Sequence, residues 1–201
     1  MSGRKARKPR TNDEWSEATI RSLIRTARSE FARLGYAQAS VERIAEEAGL
    51  TKGAVYYHFA SKEGLFEAVL RAVQGDIVQR IEARAIAAPD PISAVVAGCE
   101  AFVDVALDEE VRRIALADGP RVLGWSTWRT IDGEFGLGSL KQGLRECRKA
   151  GLLEADPDAL AHLISGALNE AVFLIAESDS HVAQHAKVRA TLRSFLKAVL
   201  M

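Results

Sequence analysis

Apolar residues return every three or four positions over almost the whole chain, with charged residues between them, which is the period of helix faces packed on a common core. The first stripe runs Ile20, Leu23, Ile24, Ala27, Phe31 and Leu34; it opens at Asn12 or Asp13, with Glu14 and Glu17 in the first turn, and closes at Gly35. Ser40 caps a short second helix that turns Val41, Ile44, Ala45 and Ala48 inward and ends at Gly49. Thr51 opens a third, of about two turns, that finishes near Phe59. Ser61 caps a long fourth helix carrying Leu65, Phe66, Val69, Leu70, Val73, Ile77 and Ile81, which stops before Pro89.

Pro91 stands at a first helical position, and Ile92, Val95, Val96, Cys99, Phe102, Val103 and Ala106 follow as the next stripe, with a shorter helix from Asp108 to Ala117. Between residues 119 and 138 five glycines, Trp125, Trp128 and Phe135 break the rhythm, which predicts loops or short helices. Leu140, Leu144 and Cys147 mark a further helix ended by Gly151, and Asp156-Pro157 starts another. From Asp158 to Ala176 that helix is apolar nearly all round: Leu160, Leu163, Ile164, Ala167, Leu168, Ala171, Val172 and Ile175 fill one face, Phe173 and Leu174 another. Such a helix must be buried on more than one side. The last helix repeats the theme with Val188, Leu192, Phe195, Leu196 and Val199, so pairing of the two helices with their copies in a four-helix bundle is expected, with Leu160, Leu163, Ile164, Ala167, Leu168, Ala171, Leu192, Phe195 and Leu196 at the interface. A monomer whose own core covers both faces is the alternative. No strand pattern occurs, and the expected fold is all-α.

Charge divides this picture. The 201-residue chain is neutral overall, yet residues 1–62 hold 12 Lys or Arg against 7 Asp or Glu, leaving 15 against 20 in the remainder. A basic head and an acidic body suggest that one end meets phosphate. Residues 1–10, with Arg4, Lys5, Arg7, Lys8 and Arg10, read as a disordered arm that adds phosphate contacts or serves only as a solubilising tail. The organisation expected is an arm over 1–11, a head over 12–60 and a body over 61–201. Cys99 and Cys147 lie far apart and have no metal-ligand or disulfide spacing. His181 and His185 share a helix face without a third ligand, so no metal and no cofactor is expected. Nor does any export signal or apolar run long enough to span a bilayer stand out, which places the protein in the cytosol, away from membranes.

Residues 40–62 read SVERIAEEAGLTKGAVYYHFASK. With Gly35-Tyr36 before them, the hydroxyl of Ser40, Ile44-Ala45, Ala48-Gly49, Lys52-Gly53, the run Tyr56-Tyr57-His58-Phe59 and Ser61-Lys62, this segment resembles the TetR family of bacterial transcription regulators over about residues 14–70. A helix, a tight turn at Gly49 and a second short helix can put that second helix into a major groove roughly 12 Å wide. Lys52, Ala54 and Tyr56 are expected on the exposed side, Gly53 lets backbone approach DNA, and Tyr57, His58 and Lys62 suit phosphate oxygens. Ser40, and Thr51 at the start of the third helix, add hydroxyls at helix N-termini. Val55 and Phe59 should face the core. Taken singly, paired tyrosines and a histidine are ordinary surface and core residues; their joint spacing makes the case. Ala54 stands where many relatives carry a hydroxyl, and Gly64 is unusual and expected to loosen the joint between head and body.

The resemblance implies a homodimer on a palindromic operator, most often a repressor, released when a small-molecule effector enters the body and alters the spacing of the two heads, with the fourth helix as the lever. Phe102, Trp125, Trp128 and Phe135 are the candidate pocket residues, with Cys99 and Cys147 as neighbours, although such residues are more often plain core. A second reading is an effector-independent architectural DNA-binding protein. An enzyme is disfavoured: no nucleophile and base, phosphate-cradling loop or catalytic acid cluster is spaced for chemistry.

Overall fold

The computed structural model describes residues 17–200, so the basic arm and the expected cap at Asn12 or Asp13 lie outside the described residues. Those residues form helices throughout, with no strand among them. The head is α1 (Glu17–Gln38), α2 (Val41–Glu47) and α3 (Lys52–Phe59), and α4 (Lys62–Ile86) leads out of it. The body follows as α5 (Pro91–Asp104), a 3-10 turn (Val105–Leu107), α6 (Glu109–Val111), a π-helical stretch (Arg112–Asp118), α7 (Gly119–Asp132), a second π-helical stretch (Gly133–Leu137), α8 (Gly138–Lys149), α9 (Pro157–Ala176) and α10 (His181–Leu200).

Local chemistry sets the starts. Ser40, Thr51, Ser61, Asp90 and Asp156 each occupy an N-cap whose side-chain oxygen accepts from the backbone N–H three residues on. The turn between α2 and α3 needs Gly49, whose φ of 70° is a left-handed conformation that side chains strain. Of the loops or short helices expected over 119–138, the structure has short helical pieces: α7 is broken by a kink at Gly124, where φ is 77°, and a five-residue π-helical stretch follows it. Gly119 serves close packing, since a Cβ there would stand 2.7 Å from Cδ1 of Trp128, and Gly136 borders a cavity.

Two hydrophobic clusters hold the molecule. One joins Leu23, Phe31, Ile44 and Val55 of the head to Leu65, Phe66, Leu70 and Val73 of α4 and on to Val111, Ile114, Trp128 and Ile131. The other packs α5 and α8 against α9 and α10 through Cys99, Leu144, Ile164, Val172 and Leu196. Phe102 and Phe173 touch both. Head and body therefore share one core along α4. Ion pairs on its rim reinforce the joint: Arg28 grips Glu110 through Nε and Nη2 (2.8 and 2.7 Å) and Asp76 through Nη1, and the backbone N–H of Tyr36 donates to Asp118 at 2.7 Å. Within the body, Arg189 and Arg193 of α10 both donate to the buried carboxylate of Glu100.

Contrary to expectation, one helix, Pro157–Ala176, is long and apolar enough by length and composition to cross a membrane. Here it is a core helix: Leu160, Ala161, Ile164, Leu168, Val172 and Ile175 are buried in the second cluster.

Candidate DNA-binding surface and ligand cavity

The head presents α3 outward beyond the Gly49 turn. Lys52, Gly53 and Tyr57 are exposed there, Tyr56 and His58 are half-buried, and Val55 and Phe59 turn to the core as expected. Ala54 corrects the reading: it is buried rather than on the exposed side of α3. The hydroxyl of Thr51 is already committed to the N–H of Ala54 at 3.2 Å, and that of Ser40 donates to Glu42 at 3.0 Å. Lys52 pairs with Glu42, whose carboxyl is held down at about 2, chiefly by that lysine's hydrogen bond. Any acceptor offered to the Lys52 ammonium competes with this neighbour.

Lys62 begins α4 beside this surface, its ammonium 4.5 Å from the centre of the Tyr36 ring, where burial pushes its pKa down. Gly64 overturns the expected looseness. A Cβ at that position would stand 2.1 Å from the carbonyl oxygen of Phe59, and its N–H donates to Ser61 Oγ at 3.0 Å. A residue without Cβ lets the end of α3 lie against the first turn of α4, which closes the joint.

In the body, α4, α5, α8, α9 and the second π-helical stretch surround a cavity of about 360 Å³. Phe102 and Cys99, both anticipated, line it. The other expected pocket residues are placed elsewhere. Trp128 is core, 1% exposed, with its indole N–H donating to the Ala115 carbonyl at 2.7 Å. Trp125 stacks on Trp128 at 5.0 Å and is 58% exposed in a different surface groove with Phe173 and Leu174. Phe135 packs on α4 near Gly75, and Cys147 is closed into the second cluster. Burial pushes the Cys99 thiol up to about 12, so it is a neutral wall and no nucleophile.

The polar residues of the cavity are ones that the sequence pattern did not single out. Asp132 at the end of α7 and Ser165 and Asn169 of α9 line one side, and Glu82 another. Asp132 Oδ2 accepts from Arg129 Nη1 at 2.5 Å and from Asn169 Nδ2 at 3.0 Å, while Arg129 Nη2 donates to Ser165. Burial raises the Asp132 pKa, and Asn169 and Arg129 pull it back. A signal is present in the sequence: Ser165 and Asn169 are polar, four apart and therefore on one face of a largely apolar helix.

The expected interface residues also separate. Leu160, Ile164, Leu168, Leu192 and Leu196 are buried in the protomer's own core. Leu163 (69% exposed), Ala167, Leu174 and Phe195 are exposed instead, with Ala171 half-buried among them. The period of α9 is the expected one, but its outer and inner faces are distinct where the sequence pattern merges them.

A helix-turn-helix head joined by one long helix to a larger helical body with a half-open cavity defines a DNA-binding transcription regulator. Residues 23–69 match the model of bacterial regulatory proteins of the tetR family, and residues 92–199 that of the tetracyclin repressor-like C-terminal domain. The chain belongs to the TetR family. It is 26% identical to the transposon Tn10 TetC protein of Escherichia coli over 151 residues, 75% of this chain and 76% of that one. Several further curated regulators match over half their length or less. Among solved structures, a TetR-family transcriptional regulator from Pectobacterium atrosepticum superposes with a TM-score of 0.81 at 35% identity, covering 92% of this chain and 95% of that one. RolR, solved in complex with the ligand resorcinol, shares the fold at a TM-score of 0.69 and 20% identity, over 91% of this chain and 88% of its own.

Proposed function

We propose that this regulator is a repressor that binds a palindromic operator in double-stranded DNA as a homodimer and leaves it when a small-molecule effector enters the body cavity. The observation that carries the reading is the conjunction of an exposed α3 surface and a half-open body cavity joined by α4. Lys52 and Tyr56 read base edges, Gly53 admits the backbone, and Ser40, Thr51, Tyr57, His58 and Lys62 engage phosphate and set register. Ala54 supports the helix from behind. The division into an arm (1–11), a head (12–60) and a body (61–201) describes function better than packing, since α4 belongs to both cores. DNA binding assigns the protein to the cytoplasm.

Two heads must stand roughly 34–36 Å apart to occupy successive major grooves. The exposed apolar face of α9 and α10, with Leu163, Ala167, Leu174 and Phe195, is the surface by which two protomers would fix that distance. An effector that prefers another spacing weakens DNA binding only by its differential affinity for the two states. A second route beside α4 supports the coupling: Asp132 ends α7, Trp128 of α7 holds the Ala115 carbonyl, and the same π-helical stretch ends at Asp118, which holds Tyr36 of the head.

Selection of bound sequences from a random DNA pool at moderate salt, repeated with a library of small apolar compounds, tests the reading. Recovery of a palindrome that some compound releases supports it. Weak, sequence-blind enrichment that no compound alters would instead identify an architectural protein without an effector.

A further inference from the structure

The body cavity carries information about what fits it. Most of its wall is apolar, from Ile81, Val95, Cys99, Phe102, Leu140 and Leu168. Two residues on it are ionisable acids, Asp132 and Glu82, and no Lys, Arg or His lines it. The Asp132 side chain is only 6% exposed, and both of its hydrogen bonds fall on Oδ2. Its Oδ1 accepts no hydrogen bond from any described residue. Oδ1 is not closed off from solvent but stays open on the cavity side, so a donor seated there can take the place of water and make a charge-assisted hydrogen bond. An anion entering would meet two carboxylates and no cation on the wall.

We propose that the cavity selects a small, largely apolar molecule whose polar head is a hydrogen-bond donor, a hydroxyl or a protonated amine, set on Asp132 Oδ1. Asn169 and Arg129 hold the other oxygen and thereby aim the free one, and Glu82 adds a second negative charge that favours the amine over the hydroxyl. The inference rests on this cavity being the effector site. Its binding chemistry is nonetheless measurable without DNA.

The test uses four probes that share a naphthalene ring and differ in one substituent: methyl, hydroxymethyl, aminomethyl and carboxylate. Affinity for the full-length protein is measured by calorimetry, and release from a selected operator is followed in parallel. The hydroxymethyl and aminomethyl probes should bind about tenfold or more tightly than the methyl probe, the ratio given by one hydrogen bond to a charged group of about 1.5 kcal/mol, and the carboxylate more weakly than all three. Asp132→Leu should erase the preference while keeping affinity for the methyl probe. Asp132→Asn, which keeps an acceptor and adds little change in shape, should cut binding of the amine more than that of the alcohol. Equal affinity for the methyl and hydroxymethyl probes, tighter binding of the carboxylate, or no binding by any probe would each overturn the proposal. Donor probes that bind without releasing DNA would uphold the proposal and refute the effector reading.

Discussion

The two working parts of this regulator are built in opposite ways. The DNA-facing head is spelled by one contiguous segment, residues 40–62, in which each cap, turn and exposed side chain follows from its neighbours within a turn or two. The cavity draws its walls from residues between Ile81 and Asn169 on separate helices, and no short stretch of sequence spells it. A surface that must fit the fixed shape of DNA can be made locally, whereas a cavity exists only as the space that packing leaves. The contrast is also electrostatic: cations and ring edges face outward on the head, and two carboxylates line the cavity of the body.

Five perturbations separate these parts, the first acting on what couples two heads. Leu163→Arg places a charge on the exposed face of α9; it should convert the proposed dimer to monomer by sedimentation and lower operator affinity by about 10²-fold or more, the scale of lost bivalency, while ligand binding persists. Trp128→Ala empties a fully buried site where head and body meet; a loss of about 3–5 kcal/mol in denaturant unfolding is expected, and it should damage both functions together. Gly64→Ala drives a methyl into the Phe59 carbonyl, at a cost of about 1–3 kcal/mol, and should impair DNA binding with the cavity left intact.

Acid should act more gradually. Burial tends to raise the Glu30 carboxyl, but hydrogen bonds from Arg33 and Arg43 outweigh it and hold it below its ordinary value; those from Arg193 and Arg189 do the same for Glu100 against burial. A carboxylate with a depressed folded pKa stabilises at pH above its unfolded value and loses that contribution as pH falls through the folded one. Thermal stability should therefore decline as pH drops below about 4.3, the free-glutamate range, and Glu100→Gln should lessen that decline in the body while leaving Glu30 to act in the head. The smallest effect is expected from Lys62→Ala, which should weaken binding to all DNA alike and reduce the salt slope by about 1, in contrast to Tyr56→Ala, which should change sequence preference.

The all-helical fold, its cap residues and the α3 surface are legible in the sequence because they depend on spacing within a helix or on a residue's own backbone preference. Ala54 and Gly64 mislead for a shared reason: the burial of one and the nearness of the Phe59 carbonyl to the other are set by the packing of helices, which does not show in linear order. The aromatic residues of 119–138 suggest a pocket because large rings between glycines look like a gate. In three dimensions Gly119 makes room for the Trp128 indole, so the pair is core. On α9 the apolar residues cover more than one face, and sequence cannot say which face the protomer keeps for itself; Ile164 is buried in its own core, while Leu163 next to it is left outside.

The claim that the cavity governs the head is tested most directly by filling it. Ala94 borders the cavity, and Ala94→Trp would occupy the space without touching α3. With an effector found for the wild type, operator affinity is measured across effector concentrations for both proteins. The account predicts that the wild type releases DNA while Ala94→Trp, folded and dimeric, no longer responds to the compound at any concentration; release from the filled variant at the wild-type concentration would contradict it.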